Sequence, residues 1–299
     1  MFKSIARVLL ALLLCSTPLA AGARTATAGA AIAKPALWVV RDRDTTIYLF
    51  GTIHALRPGI NWFQGPLKRA FASSDTLMTE IVMPDPKVAQ ALMLKAALNP
   101  TGPSLTEKLP EDKRAAYGAA LAKLGIQPAQ LDRFDPWLVA SQLAVATLIK
   151  SGYDPASGAE RVLTDAASAE HKPVAGLETV EQQVGYLDGL SDKAQQEFLV
   201  STIDEIDDFT TTMDKMVGSW SHGDANAIAK LMNDDMRDSA ELMTRLIAER
   251  DARWADWIAD RLKRPGKVFI AVGAGHLAGP ESVQAYLARK RLTARRVVY

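Results

Sequence analysis

The apolar positions of this chain change period several times, and each change marks an element. In "ALWVVRDRDTTIYLFGTIH" two short apolar runs flank the charged stretch 41–44, which reads as two strands joined by a tight turn. "GPLKRAFASS" has helical spacing, and "DTLMTEIVM" is a compact apolar strand closed by Pro84 and Pro86. From 86 to 150 the pattern is helical, rich in Ala and Leu, and broken at Pro103, Pro110, Pro128 and Pro136. A further helix over 158–169 precedes "HKPVAGLE", which reads as a third core strand ending at Glu178. Helical spacing returns over 191–264, with a break at "SWSHGD" and a stop at "RPG". "KVFIAVGAGH" is near-continuously apolar, as expected of a strand buried on both faces. A helix over 280–290 and a last strand in "ARRVVY" complete the pattern.

Strands near both ends of the chain with helices between them predict an α/β fold. The expected architecture is a mixed central sheet carrying a large helical insertion, at about 86–150 and 191–264. Length alone suggests roughly two domains, but one α/β domain with inserted helices holds the same chain.

The first 23 residues combine Lys3 and Arg7, an apolar run from Val8 to Cys15, and Ala21 and Ala23 in a small-x-small pattern. That is the pattern of a signal peptide, with processing expected near Arg24 and an Ala-rich flexible tether over 24–36. The expectation is an exported protein, periplasmic or secreted. Cys15 is the only cysteine and follows Leu14, where a lipoprotein signal needs a small residue. Its removal excludes internal disulfides and cysteine-based catalysis. No other apolar run is long enough to span a bilayer. With 35 basic and 34 acidic residues the chain has no basic footprint for nucleic acid.

Three ionisable residues stand where predicted strands end: His54, Glu80 and His276, with Glu178 a fourth. Sites in open α/β sheets collect at the carboxyl ends of strands. Two imidazoles and a carboxylate suit a divalent metal ion such as Zn, Mn or Co and leave a position for water. Glu178 then serves as a ligand, as an acceptor for an imidazole N–H, or as a general base. Both histidines stand in Gly-x-x-His, "GTIH" and "GAGH", where glycine permits a tight turn or close approach. A single strand-end histidine is usually a buried group bonded to backbone. Two of the chain's four histidines in one motif, beside strand-end carboxylates, favour a shared site. His171 and His222 lie in turn and loop patterns and read as surface residues. Arg250 falls on a helical face with Ile247, Trp254, Trp257 and Ile258, so its guanidinium points inward. It is either a structural ion pair with Glu178 or another acid, or a clamp for a substrate anion. No His-Glu-x-x-His, Gly-x-Ser-x-Gly, Walker or dinucleotide pattern occurs.

The ordered set "FGTIHAL", "TLMTEIVM", "GLETVEQQ", "ERDARWADWI" and "VGAGHLAGPESV" resembles the TraB/GumN family over the chain from about Leu37. That family is similar to Tiki-type metalloproteases and more distantly to erythromycin esterase-like (EreA) and haem-binding ChaN-like proteins. The resemblance implies that His54 and His276 are metal ligands, with Glu80 the third ligand or the catalytic carboxylate. It also marks Glu178 and Arg250 as site residues. Asp251 departs from the asparagine expected after this arginine. The implied activity is a metal-dependent hydrolase, most simply a peptidase acting on a peptide or small molecule. A non-catalytic haem- or metal-binding envelope protein is the alternative.

Overall fold

The computed structural model describes residues 32–236 and 239–299, so the expected signal peptide over 1–23 lies outside the described residues. Six strands form one sheet: β1 (Leu37–Arg41), β2 (Thr45–Thr52), β3 (Thr76–Thr79), β4 (Val174–Gly176), β5 (Gly266–Gly273) and β6 (Arg295–Arg296). Their order is β4-β3-β5-β2-β1-β6. β4, β3, β5 and β2 run parallel, while β1 is antiparallel to β2 and to β6. The sheet is therefore mixed, and the carboxyl ends of four parallel strands share one edge.

The helices are α1 (Gly65–Ala72), α2 (Pro86–Ala97), α3 (Leu105–Lys108), α4 (Glu111–Leu124), α5 (Pro136–Lys150), α6 (Ala159–Ala169) and α7 (Val180–Asp188). They continue with α8 (Asp192–Glu205), α9 (Phe209–Ser221), α10 (Ala225–Met236), α11 (Ala240–Met243), α12 (Glu249–Arg261) and α13 (Val283–Arg289). No helix among the described residues is long and apolar enough to cross a membrane.

β5 is central, and the alternation of its side chains builds two cores. Phe269 and Ala271 join Phe50, Phe71, Trp62 and Trp220 on one face. Val268, Ile270 and Val272 join Ile47, Leu49, Trp254 and Ile258 on the other. A third core, with Tyr117, Trp137, Leu143, Phe198 and Leu246, belongs to the helical layer alone.

Three details differ from the sequence pattern. β4 is an edge strand of three residues rather than a core strand running to Glu178. Beyond its end the β3 pairing continues, with Leu177 N–H donating to Thr79 O at 2.9 Å and Glu178 N–H to Glu80 O at 2.8 Å. The stretch 191–264 divides between layers, because α8 packs in the helical core while α9 and α12 cover opposite faces of the sheet. Ala33 and Ala36, at the end of the expected tether, are buried, and Ala33 N–H donates to Asn61 O at 2.9 Å.

Candidate functional site

The strand-end residues sit together because four strands end at one edge and their pairing is in step. Thr52 of β2 faces Gly273 of β5, and Thr79 of β3 faces Ala271. Glu80 directly follows β3, Glu178 lies two residues beyond β4, and His54 two beyond β2. His276 lies in a 3-10 turn, Ala274–Leu277, directly after β5. The four strand ends lie at one edge of the sheet, while His171 and His222, away from those ends in sequence, are exposed.

The glycines of the two Gly-x-x-His motifs act through close approach, since neither Gly51 nor Gly273 has a positive φ. A Cβ on Gly51 would meet Ala274 Cα at 3.0 Å, so the first motif packs directly on the second. Gly273 instead presents its N–H to Glu80 Oε1 at 2.7 Å.

Arg250 organises the interior of the site. It is fully buried, and all five of its N–H donors are engaged. Nε lies 3.0 and 3.1 Å from the two oxygens of Glu178. Nη2 donates to Glu80 Oε2 at 2.6 Å and to Glu178 Oε2 at 2.9 Å. Nη1 donates to Leu246 O at 3.2 Å and to His276 Nε2 at 3.1 Å. A π-helical stretch, Thr244–Ala248, runs directly into α12 and carries that Leu246 carbonyl. The guanidinium carbon lies 4.8 Å from the Trp254 ring centroid. Burial draws the Arg250 pKa down, but Glu80 and Glu178 outweigh it and raise it above its ordinary value. Of the two readings open in the sequence, the geometry is that of an ion pair, made to both acids, with no N–H left for a substrate anion.

Gln183 of α7 ties the two acids together, its amide N–H₂ lying 2.9 Å from Glu80 Oε2 and 3.3 Å from Glu178 Oε2. Tyr186 donates to Glu178 Oε1 at 3.3 Å. Asp251 and His276 form a second buried pair, with Nδ1 2.6 Å from Asp251 Oδ1. An arginine N–H can only donate, so Nε2 of His276 is the acceptor and Nδ1 carries the proton. Burial, then Arg250 and His54, holds the His276 imidazole well below its usual pKa. Burial also pushes the Asp251 carboxyl well above the usual carboxylate range, against the pull of Arg250.

Glu160 was not among the candidates legible in the sequence. It lies in the first turn of α6, in no motif, and its only local signal is the Gly158 that precedes the helix. A Cβ on Gly158 would stand 2.0 Å from His54 O, so only glycine lets α6 start against the "GTIH" loop. Ala159 N–H donates to Ile53 O at 2.9 Å, and Thr52 Oγ1 donates to Glu160 Oε1. Glu160 Oε2 thereby comes 2.6 Å from His54 Nδ1.

His54, Glu80 and Glu160 each offer one donor atom, and these atoms lie within 4.8 Å of one another. The set of one imidazole and two carboxylates suits a divalent ion. The side chains of His54 and Glu160 keep 18% exposure each, whereas Glu80 keeps 4%, but His54 Nε2 and Glu160 Oε2 are themselves buried. His276 Nε2 stands 3.9 Å from Glu80 Oε1, next to this cluster and facing Arg250.

The TraB/PrgY/gumN family matches residues 36–296, all six strands and every residue of the site. The chain belongs to that family. Its relatives include an uncharacterized protein of Treponema pallidum (strain Nichols), 24% identical over 277 residues, which is 85% of this chain and 80% of the relative. The uncharacterized protein YbaP of Escherichia coli (strain K12) is 25% identical over 249 residues, 82% of this chain and 89% of the relative. YbaP of Shigella flexneri is similar to the same extent. No solved structure matches the chain.

Proposed function

We propose that this TraB/PrgY/gumN chain is an exported, divalent-metal-dependent hydrolase, periplasmic or secreted, acting on a peptide or small-molecule substrate. The observation that carries the reading is the convergence of His54, Glu80 and Glu160 beside the carboxyl ends of the parallel strands of the mixed sheet. Their chemistry fits Zn, Mn or Co. The charges agree with that, because Glu80 and Glu178 both pair with the one buried guanidinium of Arg250, and Glu160 adds a further carboxylate beside His54. A divalent ion held by His54, Glu80 and Glu160 would supply a Lewis acid that lowers the pKa of water and polarises a carbonyl.

The chain's own residues do the rest. Arg250 and Gln183 hold Glu80 in place through Oε2, and Gly273 N–H holds Oε1. Glu160, fixed through Oε1 by Thr52, presents Oε2 beside the His54 ring as the third donor. Glu178, gripped by Arg250, Gln183 and Tyr186, orients its neighbours rather than moving a proton. The proposal carries with it a distant kinship to the erythromycin esterase-like (EreA) and ChaN-like proteins.

Metal analysis of the purified protein, paired with hydrolysis of fluorescein-labelled casein and 4-nitrophenyl acetate, tests the reading. Bound metal and metal-stimulated hydrolysis that vanish in His54→Ala are expected. A protein that binds no Zn, Mn or Co and hydrolyses neither probe overturns it, and a haem absorption band on purification would favour a binding protein.

A further inference from the structure

We infer that His276 is a positioning residue and not a ligand, and that Glu160 takes the third place beside His54 and Glu80. The inference rests on the metal-site reading above and divides its donors differently from the paired Gly-x-x-His motifs.

Both ring nitrogens of His276 are engaged by groups that leave no room for an ion. Nδ1–H lies 2.6 Å from Asp251 Oδ1, and the lone pair of Nε2 accepts from Arg250 Nη1 at 3.1 Å. To coordinate through Nε2, the ring must lose Arg250, and Arg250 is held by Leu246 O, Glu80 and Glu178 from three directions. A divalent cation at that nitrogen would also sit against a buried guanidinium, like charge against like charge. His276 is fully enclosed and packs at a 55° tilt against Trp254, with ring centroids 4.5 Å apart, so the packing holds its ring in place. Its contacts instead form a chain, Asp251 to His276 to Arg250 to Glu80, which aims the carboxylate at His54 and Glu160. Glu160 has the opposite character. It reaches the cluster from the first turn of α6, 2.6 Å from the His54 ring, on a side chain that Arg250 does not touch.

Zinc titration of the metal-free full chain with ¹⁵N-labelled histidine distinguishes the donors. The chain has four histidines, so assignment by single substitution is practical. His54 should shift to the signature of a ligated nitrogen. His276 should show the Nδ1–H form before zinc and keep it afterwards. Glu160→Gln should weaken zinc binding and change the Co²⁺ absorption spectrum, as loss of a donor does, whereas His276→Asn should weaken it by about 10-fold, as loss of a group behind a ligand does, and leave that spectrum unchanged in shape. A ligation shift at His276, or zinc affinity in Glu160→Gln equal to that of the parent chain, overturns the inference. If His276→Asn does not fold, the titration of the parent chain still decides. If zinc moves no histidine, the metal reading fails with it, while a lone His276 shift defeats the inference and leaves the metal reading standing.

Discussion

At the scale of single residues, the site is a network of buried charge, and its energetics follow from how completely each group is paired. Arg250→Lys keeps the charge but loses the planar fork that serves Glu178, Glu80, Leu246 O and His276 together. Because the charge stays, the cost is that of buried acceptors left without a donor, about 1–3 kcal/mol. Denaturant unfolding should show a loss of that size, and a change below about 1 kcal/mol would contradict the network described. Asp251→Asn should behave differently. The amide oxygen still accepts from His276 Nδ1–H, and burial already disfavours a charged carboxyl there. Stability should stay within about 1 kcal/mol of the parent, and a larger loss would mean that the carboxylate charge is itself needed. Much of this scale was legible in the sequence. The inward guanidinium of Arg250 followed from its helical face, but that all its donors are engaged by two glutamates, a carbonyl and a histidine depends on residues 72 and 170 positions away.

At the scale of elements, the site depends on where backbones are allowed to touch. Gly158→Ala places a Cβ 2.0 Å from the backbone oxygen of His54, an overlap that no side-chain rotation relieves. The start of α6 must move away, carrying Glu160 with it. The expected cost is about 1–3 kcal/mol, together with weaker zinc binding measured by calorimetry. A variant with parental melting temperature and affinity would show that the α6 contact does not set the site. The two strand-end motifs were visible as Gly-x-x-His, yet the glycines serve contact between the motifs and the grip on Glu80 rather than a left-handed turn. "PVAGL" has the composition of a core strand, yet β4 is only three residues long. Only the sheet order shows it at the edge, where Pro173 precedes three pairing residues.

At the scale of the whole molecule, metal and pH act on global stability. Zinc at about 100 times its Kd should stabilise the chain by about 2.7 kcal/mol, visible as a higher melting temperature that EDTA reverses. No shift at any zinc concentration would argue against a site in the folded state. In alkali the sign runs the other way. Burial pushes the phenols of Tyr117 and Tyr153 well above their ordinary 10.0, and that of Tyr299 up to about 12. Above pH 10 the unfolded chain releases these protons while the folded chain keeps them, so stability falls as pH rises from 10 through the folded values. Tyr117→Phe should soften that fall, and it should raise stability at neutral pH by up to about 1 kcal/mol. The reason is that Tyr117 Oη is buried without a partner among the described residues. A steeper alkaline loss in the variant would reverse the assignment.

The sequence by itself determined the α/β class, the hairpin, the buried central strand and the four strand-end residues, because periodicity and chain punctuation are local properties. It also determined the family, since ordered short motifs survive where overall identity is low. Only the tertiary structure decided which strand lies at the edge, that Glu160 enters the cluster from α6, and that Arg250 stands between His276 and the carboxylates. Those facts depend on which distant segments touch, and a donor set becomes a site only when the packed backbone brings its atoms within a few ångströms of one point.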